Sequence, residues 1–183
     1  VVVVLNKKIK MIYYTLEEPT KTGGIFLAGP SLRPGQKGTS WRPEVIRTLK
    51  LMKMSPIIYV PEFRPPSFKN FDGSQIETQG GQPEGWTYEK QVEWEVKCLA
   101  LARTILFWIP RSEKLPGFTT NIEFGEWLHS DKIVIGFPED AINMRYIFHR
   151  CKMRGMHVHK RLETLCQEAI DHNWSYNAER RDH

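Results

Sequence analysis

Apolar residues in this chain alternate between short unbroken runs and longer stretches in which they recur every three or four positions. Ile25-Phe26-Leu27-Ala28 is the clearest run, closed by Gly29 and Pro30 as a buried strand closes in a turn. Ser40 then precedes Trp41-Arg42-Pro43, and Val45, Ile46 and Leu49 share one helical face, which predicts a helix over about residues 41–53. Residues 57–60 predict a second buried strand. Thr87 is placed to cap a helix whose stripe is Val92, Val96, Leu99 and Ala100, and the run from Thr104 to Ile109 reads as a strand stopped by Pro110. The same alternation predicts a helix over about 121–130, a strand at 132–136, a helix at 143–153, a short strand at 156–158 and a helix at 160–172. Residues 9–14 suit an additional edge strand.

Strands alternating with helices imply a parallel sheet covered on both faces. The expected fold is therefore α/β, a flavodoxin- or Rossmann-like three-layer sandwich with a sheet of about five strands, its ligand at the carboxyl ends of the strands. One domain over 1–176 is expected, followed by a polar tail at 177–183. The stretch 61–86 is rich in Pro, Gly, Ser, Asn and Gln, and a loop of that length in a domain of this size reads as a lid or rim.

Composition narrows the setting. The cysteines Cys98, Cys151 and Cys166 are odd in number and far apart, which suggests neither a disulfide framework nor a zinc site. Val1 to Val4 are far shorter than a signal-peptide core, and no run approaches the length that spans a bilayer, so a cytoplasmic protein with no membrane partner is expected. The formal charge of +5 is concentrated late in the chain, in residues such as Arg145, Arg150, Lys152 and Arg154. A solvated helix surface is favoured there over a nucleic-acid patch, since no interleaved aromatic motif or DNA-binding signature is read beside the charge. The six histidines show no metal-ligand spacing, and the glycines form neither a GxGxxG nor a P-loop pattern, so no metal and no cofactor are expected.

Two carboxylates carry the candidate chemistry. Glu123 is expected in the first turn of its helix, just past a loop at the carboxyl edge of the sheet, where an acid either faces the cleft or merely complements the helix dipole. Glu95 borders the apolar stripe of the preceding helix, and it reads either as a second cleft acid or as a boundary carboxylate paired with a nearby cation. Trp94 beside it offers a ring for a planar base, or packing. Two acids converging on one cleft from successive helices would suit glycosidic cleavage, which needs a nucleophile for C1′ and a group to manage the leaving base.

Three ordered motifs, Ile25-Phe26-Leu27-Ala28-Gly29-Pro30, the segment Glu93 to Pro110, and Asn121-Ile122-Glu123-Phe124-Gly125-Glu126-Trp127, resemble the nucleoside 2-deoxyribosyltransferase superfamily, most closely its "like" branch. The resemblance implies an enzyme that cleaves or transfers at the N-glycosidic bond of a nucleoside or nucleoside monophosphate. In it Glu123 of Ile-Glu-Phe-Gly is the nucleophile, Glu95 handles the base or ribose, and Gly29 lets the ligand approach the backbone. Pro30, Ser31, Arg33, Trp94, Thr119, Thr120 and Asn121 complete the expected substrate site, with Ser31, Arg33 and the threonines available to a phosphate. The resemblance further implies a homo-oligomer. Three positions depart from the family pattern: Phe26 stands where many members have a Tyr that hydrogen-bonds the nucleophile, Arg103 where an acid is common, and Gly117 where nucleotide-hydrolysing members carry a phosphate-binding Ser. The alternative from another class is a catalytically silent nucleotide-binding module.

Overall fold

Side chains that alternate between two apolar environments mark the strands at the centre of the molecule. The computed structural model describes residues 12–32, 38–52, 56–65 and 81–179. Strand β2 (Ile25–Ala28) is fully buried, with Ile25 and Leu27 facing one core and Phe26 and Ala28 the other. Strand β4 (Thr104–Trp108) repeats the arrangement, Ile105 and Phe107 against Leu106 and Trp108. Burying such a side chain contributes roughly 1.5–3 kcal/mol, so a strand apolar on both sides is held to the middle of the sheet.

Around these lie β1 (Ile12–Tyr14), β3 (Ile58–Val60), β5 (Ile133–Gly136) and β6 (Val158–His159). All pairings are parallel, in the order β1-β3-β2-β4-β5-β6. The sixth strand, relative to the five expected, is the edge strand β1. Helices α1 (Arg42–Leu51) and α5 (Leu162–Glu179) cover one face through Val45, Ile46, Leu49, Leu165, Cys166 and Ala169. Helices α2 (Tyr88–Leu101), α3 (Phe118–Trp127) and α4 (Arg145–Met153) cover the other through Trp94, Cys98, Leu99, Phe124, Ile147 and Cys151. This is the flavodoxin-like, three-layer α/β arrangement. The three cysteines are free and buried, and no helix among the described residues is long and apolar enough to cross a membrane.

The chain leaves β2 for β3 on one side and then crosses to β4 on the other. The loops after β2 and β4 therefore diverge at their carboxyl ends and open the crevice in which such sheets bind ligands. Gly29, the first residue of that crevice, has φ +148°, and a Cβ there would lie 2.1 Å from the Trp108 carbonyl oxygen. Only glycine lets the two loops start this close together. α5 runs through Glu179, past the helix end at 172 and into the expected polar tail. Of the expected lid, residues 66–80 lie outside the described residues, as does Arg33.

Candidate active site

The decisive local difference from the sequence reading lies at the start of α3. Thr119, Thr120 and Asn121 look like capping residues, but the helix begins at Phe118 and its cap is Gly117, in the left-handed region at φ +64°. The Asn121 N–H already bonds the Gly117 carbonyl at 3.3 Å. A Cβ at Gly117 would meet Pro30 Cγ at 2.8 Å, so a glycine is required at this position both by its φ and by the loop after β2. Glu123 therefore stands in the second turn, and no acid occupies the first. The dipole-complement reading of Glu123 loses its geometric basis, since that effect is confined to the first turn.

Glu123 is partly buried, whereas Glu126 one turn on is exposed. Burial holds the Glu123 carboxyl far above the usual carboxylate range, at about 8; the charge of Glu95 pushes it further up, Arg42 opposes, and Glu126 adds an upward push. Glu95, in the middle of α2, is also partly buried. Burial raises it, against the hydrogen bond from Gln91 and the charge of Arg42. The Gln91 side-chain N–H donates to Glu95 Oε1 at 2.8 Å, and Trp86 Nε1 donates to Gln91 Oε1 at 2.9 Å, so α2's first turns hold this carboxylate in place. The two acids thus come from successive helices on one face of the sheet, the charge of Glu95 acts on Glu123, and Arg42 is the cation that acts on both.

Arg42 was not among the residues the sequence singled out. It is 1% exposed. Its Nε donates to the Leu27 carbonyl at 3.0 Å, Nη2 to the Gly29 carbonyl at 2.7 Å and Nη1 to Glu62 Oε1 at 2.7 Å. Ser40 Oγ donates to the same Glu62 oxygen at 2.7 Å and accepts the Arg42 N–H at 3.1 Å. The guanidinium therefore satisfies the carbonyls that β2 leaves at its end and fixes the Gly29-Pro30 loop, while Glu62 offsets the cost of burying its charge. A signal was present: Arg42, Val45, Ile46 and Leu49 fall at the i, i+3, i+4, i+7 positions of a single stripe, which places Arg42 on the buried face. Arg111, just past β4, was missed as well. It is buried, donates through Nη1 to the Asn143 carbonyl at 3.3 Å and through Nη2 to Asn121 Oδ1, and so ties the start of α3 to the turn before α4.

The other expected residues separate into two groups. Pro30, which follows Gly29, and Thr120 both pack at Gly117 where the first loop meets the start of α3, Thr119 and Asn121 are exposed in that helix's first turn, and partly buried Ser31 follows Pro30. Among the described residues, buried Thr120 Oγ1 and Arg111 Nε have no hydrogen-bond partner. Trp94 is elsewhere: its ring is 5% exposed within the core and its N–H donates to the Glu17 carbonyl at 2.8 Å, so it is placed as packing. Phe26, at the family's Tyr position, is 0% exposed and carries no hydroxyl to offer Glu123. An open hollow of about 530 Å³ lies beside the entry to β2, lined by Pro19, Thr20, Lys21, Thr22, Lys97 and Leu101; neither acid lines it. Among the described residues no group of three or more His, Cys, Asp or Glu is placed to hold a metal ion.

The fold is a doubly wound α/β domain that carries two partly buried carboxyls, Glu95 and Glu123, on successive helices over one face of its sheet. The family model described as nucleoside 2-deoxyribosyltransferase like matches residues 22–141, from the approach to β2 to the loop after β5. The chain belongs to that family, which connects it with glycosyl transfer on nucleosides. A comparison with curated proteins gives no match.

Proposed function

We propose that the protein cleaves or transfers at the N-glycosidic bond of a (deoxy)nucleoside or nucleoside monophosphate, with Glu123 as nucleophile and Glu95 as the acid that protonates the leaving base. The observation that carries this reading is the electrostatic coupling of two partly buried carboxyls, delivered by α2 and α3 to one face of the sheet. Ionised Glu123 attacks C1′; the C1′–N bond breaks, its electron pair stays on the base nitrogen, and Glu95 supplies the proton. A second base or water then attacks C1′, Glu123 departs as a carboxylate, and Glu95 recovers a proton. The productive form is the one in which Glu123 has lost its proton while Glu95 keeps one, so the pair titrates as a unit. Thr120 Oγ1 and Arg111 Nε, the buried donors without partners near the start of α3, suit the 5′ end of such a substrate.

One observation favours a second reading. A carboxyl held at about 8 is a natural general acid at neutral pH, which would give Glu123 the proton and Glu95 the attack. The motif around Glu123 supports the first assignment, and the nucleophile's identity is separable by experiment. A homo-oligomer belongs to the proposal: Val92 and Val96, which the sequence places on the core-facing stripe of α2, are instead exposed beside Tyr88 because Trp94, Cys98 and Leu99 face the core, and Phe118 and Ile122 form another exposed apolar stripe beside Glu123 on α3.

Incubating the protein with deoxynucleosides and their monophosphates, with and without a second free base, tests the proposal. Free base alone indicates hydrolysis and an exchanged nucleoside indicates transfer, and either should vanish in Glu123→Gln while ligand binding persists. Binding with no base released from any substrate would instead support a silent nucleotide-binding module.

A further inference from the structure

The net positive charge of the chain resides in one place. Between Asp140 and Glu163 there is no acidic residue, while Arg145, Arg150, Lys152, Arg154, Lys160 and Arg161 all fall there; these six exceed the +5 of the whole chain, so the remainder is slightly acidic. Such a concentration is a surface feature of α4 and of the β6 strand beside it. Ile147 and Cys151 bury one side of α4, and the opposite side presents Arg145, His149 and Lys152 along its middle, all exposed. Among the described residues, the nearest thing to a carboxylate partner for the six cations is the loose Arg161–Glu163 pair at 3.6 Å; no carboxylate pairs with Arg145, Arg150, Lys152, Arg154 or Lys160.

Aromatic rings flank this row of cations. Tyr146 is 71% exposed on one side, with the Arg150 guanidinium 5.9 Å from its ring and Arg150 Nη1 3.1 Å from its hydroxyl. Phe148 is 46% exposed on the other, edge-to-face with Phe137, and Lys160 Nζ lies 3.9 Å from the Phe137 ring and 6.0 Å from that of Phe148. Aromatic side chains therefore do accompany the charge, which revises the expectation drawn from the sequence. A membrane surface would require the apolar groups at the centre and the cations at the margins; here Arg145 and His149 are central and would be buried. Cations spaced along a helix with planar rings to either side suit a chain of phosphates whose bases are free to stack, and a duplex hides its base faces.

We propose that the exposed face of α4, with Lys160 beside it, binds single-stranded nucleic acid, the cations contacting phosphates and Tyr146 and Phe148 stacking on unpaired bases. The turn that leads into α4 is tied to the start of α3: Asn143, two residues before α4, receives Arg111, which in turn holds Asn121. The proposal does not depend on the N-glycosidic reading.

The test is fluorescence anisotropy of a labelled oligothymidylate with the full chain over a range of salt concentrations. The expected result is binding that weakens with salt, a duplex bound more weakly than the single strand, and a salt slope reduced by roughly 0.7 for each cation lost in Arg145→Gln/Lys152→Gln. Tyr146→Leu, at a position too exposed to affect folding, should weaken the single strand by roughly five-fold to a hundred-fold, the range that loss of one stacked base implies. Phe148→Leu should act in the same direction, with a thermal unfolding scan to show that the domain is intact. Absence of binding, equal affinity for duplex and single strand, an unchanged affinity in Tyr146→Leu, or tighter binding to phosphatidylserine vesicles than to the oligonucleotide would each overturn the proposal. Anisotropy reads binding without turnover, so its failure and the failure of the enzymatic reading are distinct results.

Discussion

Replacing the proposed nucleophile should make the protein more stable, by a margin that grows as pH rises from about 4.5 to about 8. Glu123 is held at about 8, against an ordinary 4.5, chiefly by burial and then by the charge of Glu95. A carboxyl raised on folding binds its proton more tightly in the native state, so between these two values the folded chain carries a proton that the unfolded chain has lost. Stability therefore falls as pH rises through that window. Below about 4.5 both states are protonated and nothing is lost, and above about 8 the full cost of holding a charge in this site is present. The interval corresponds to about 5 kcal/mol as an upper bound, since each tenfold change is about 1.4 kcal/mol and solvent access at the cleft will reduce it. Glu123→Gln keeps the shape of the protonated carboxyl and cannot ionise. Urea unfolding of the two proteins should coincide near pH 4.5 and separate by several kcal/mol in favour of the variant near pH 9, with Glu95→Gln giving a smaller gain of the same sign. A difference that does not change with pH, or a variant less stable at pH 9, would refute the electrostatic picture of the site.

The Arg42–Glu62 pair should show the opposite behaviour. Arg42→Met leaves a buried carboxylate and the Leu27 and Gly29 carbonyls without their donor, and should cost about 3–5 kcal/mol in urea unfolding. Adding Glu62→Gln should recover part of that loss, and a single-variant cost below about 1 kcal/mol would contradict the buried geometry. In catalysis, the productive pair carries one proton, so kcat/KM should fall roughly tenfold per pH unit above about 8, where the pair loses that proton. Glu95→Gln should remove this falling limb and lower the rate, because the variant has no second carboxyl to hold the proton and no Glu95 charge to raise Glu123. A flat profile between pH 6 and pH 9 would rule this limb out.

The central strands were legible because β2 and β4 are apolar on both sides, and only a parallel sheet covered twice accommodates such runs. The alternation with helices then determined the layers. The start of α3 was not legible. Thr119-Thr120-Asn121 has the composition of a cap, whereas the helix is actually initiated by a left-handed glycine with no side chain to signal it. Packing against Pro30, which decides the matter, is a contact between loops far apart in the chain. Glu123 and Glu95 became candidates through their motifs and their place on the helices, whereas the charge of Glu95 acting on Glu123 is a tertiary property. Arg42 stood on a readable stripe, but its acceptors are the ends of another element and a carboxylate twenty residues on, which periodicity does not announce. Trp94 illustrates the converse: adjacent to a candidate acid in sequence, it turns into the core because successive helical positions point in different directions.

The most direct test of the central claim is to identify the residue that takes the sugar. A nucleoside bearing fluorine at the 2-position of its deoxy sugar slows release of a glycosyl ester and allows the intermediate to accumulate for peptide mapping by mass spectrometry. The account predicts one equivalent of fluorosugar on Glu123, released when a second free base is added, and no adduct in Glu123→Gln. Fluorosugar on Glu95, or free base produced with no adduct on either carboxylate, would contradict it.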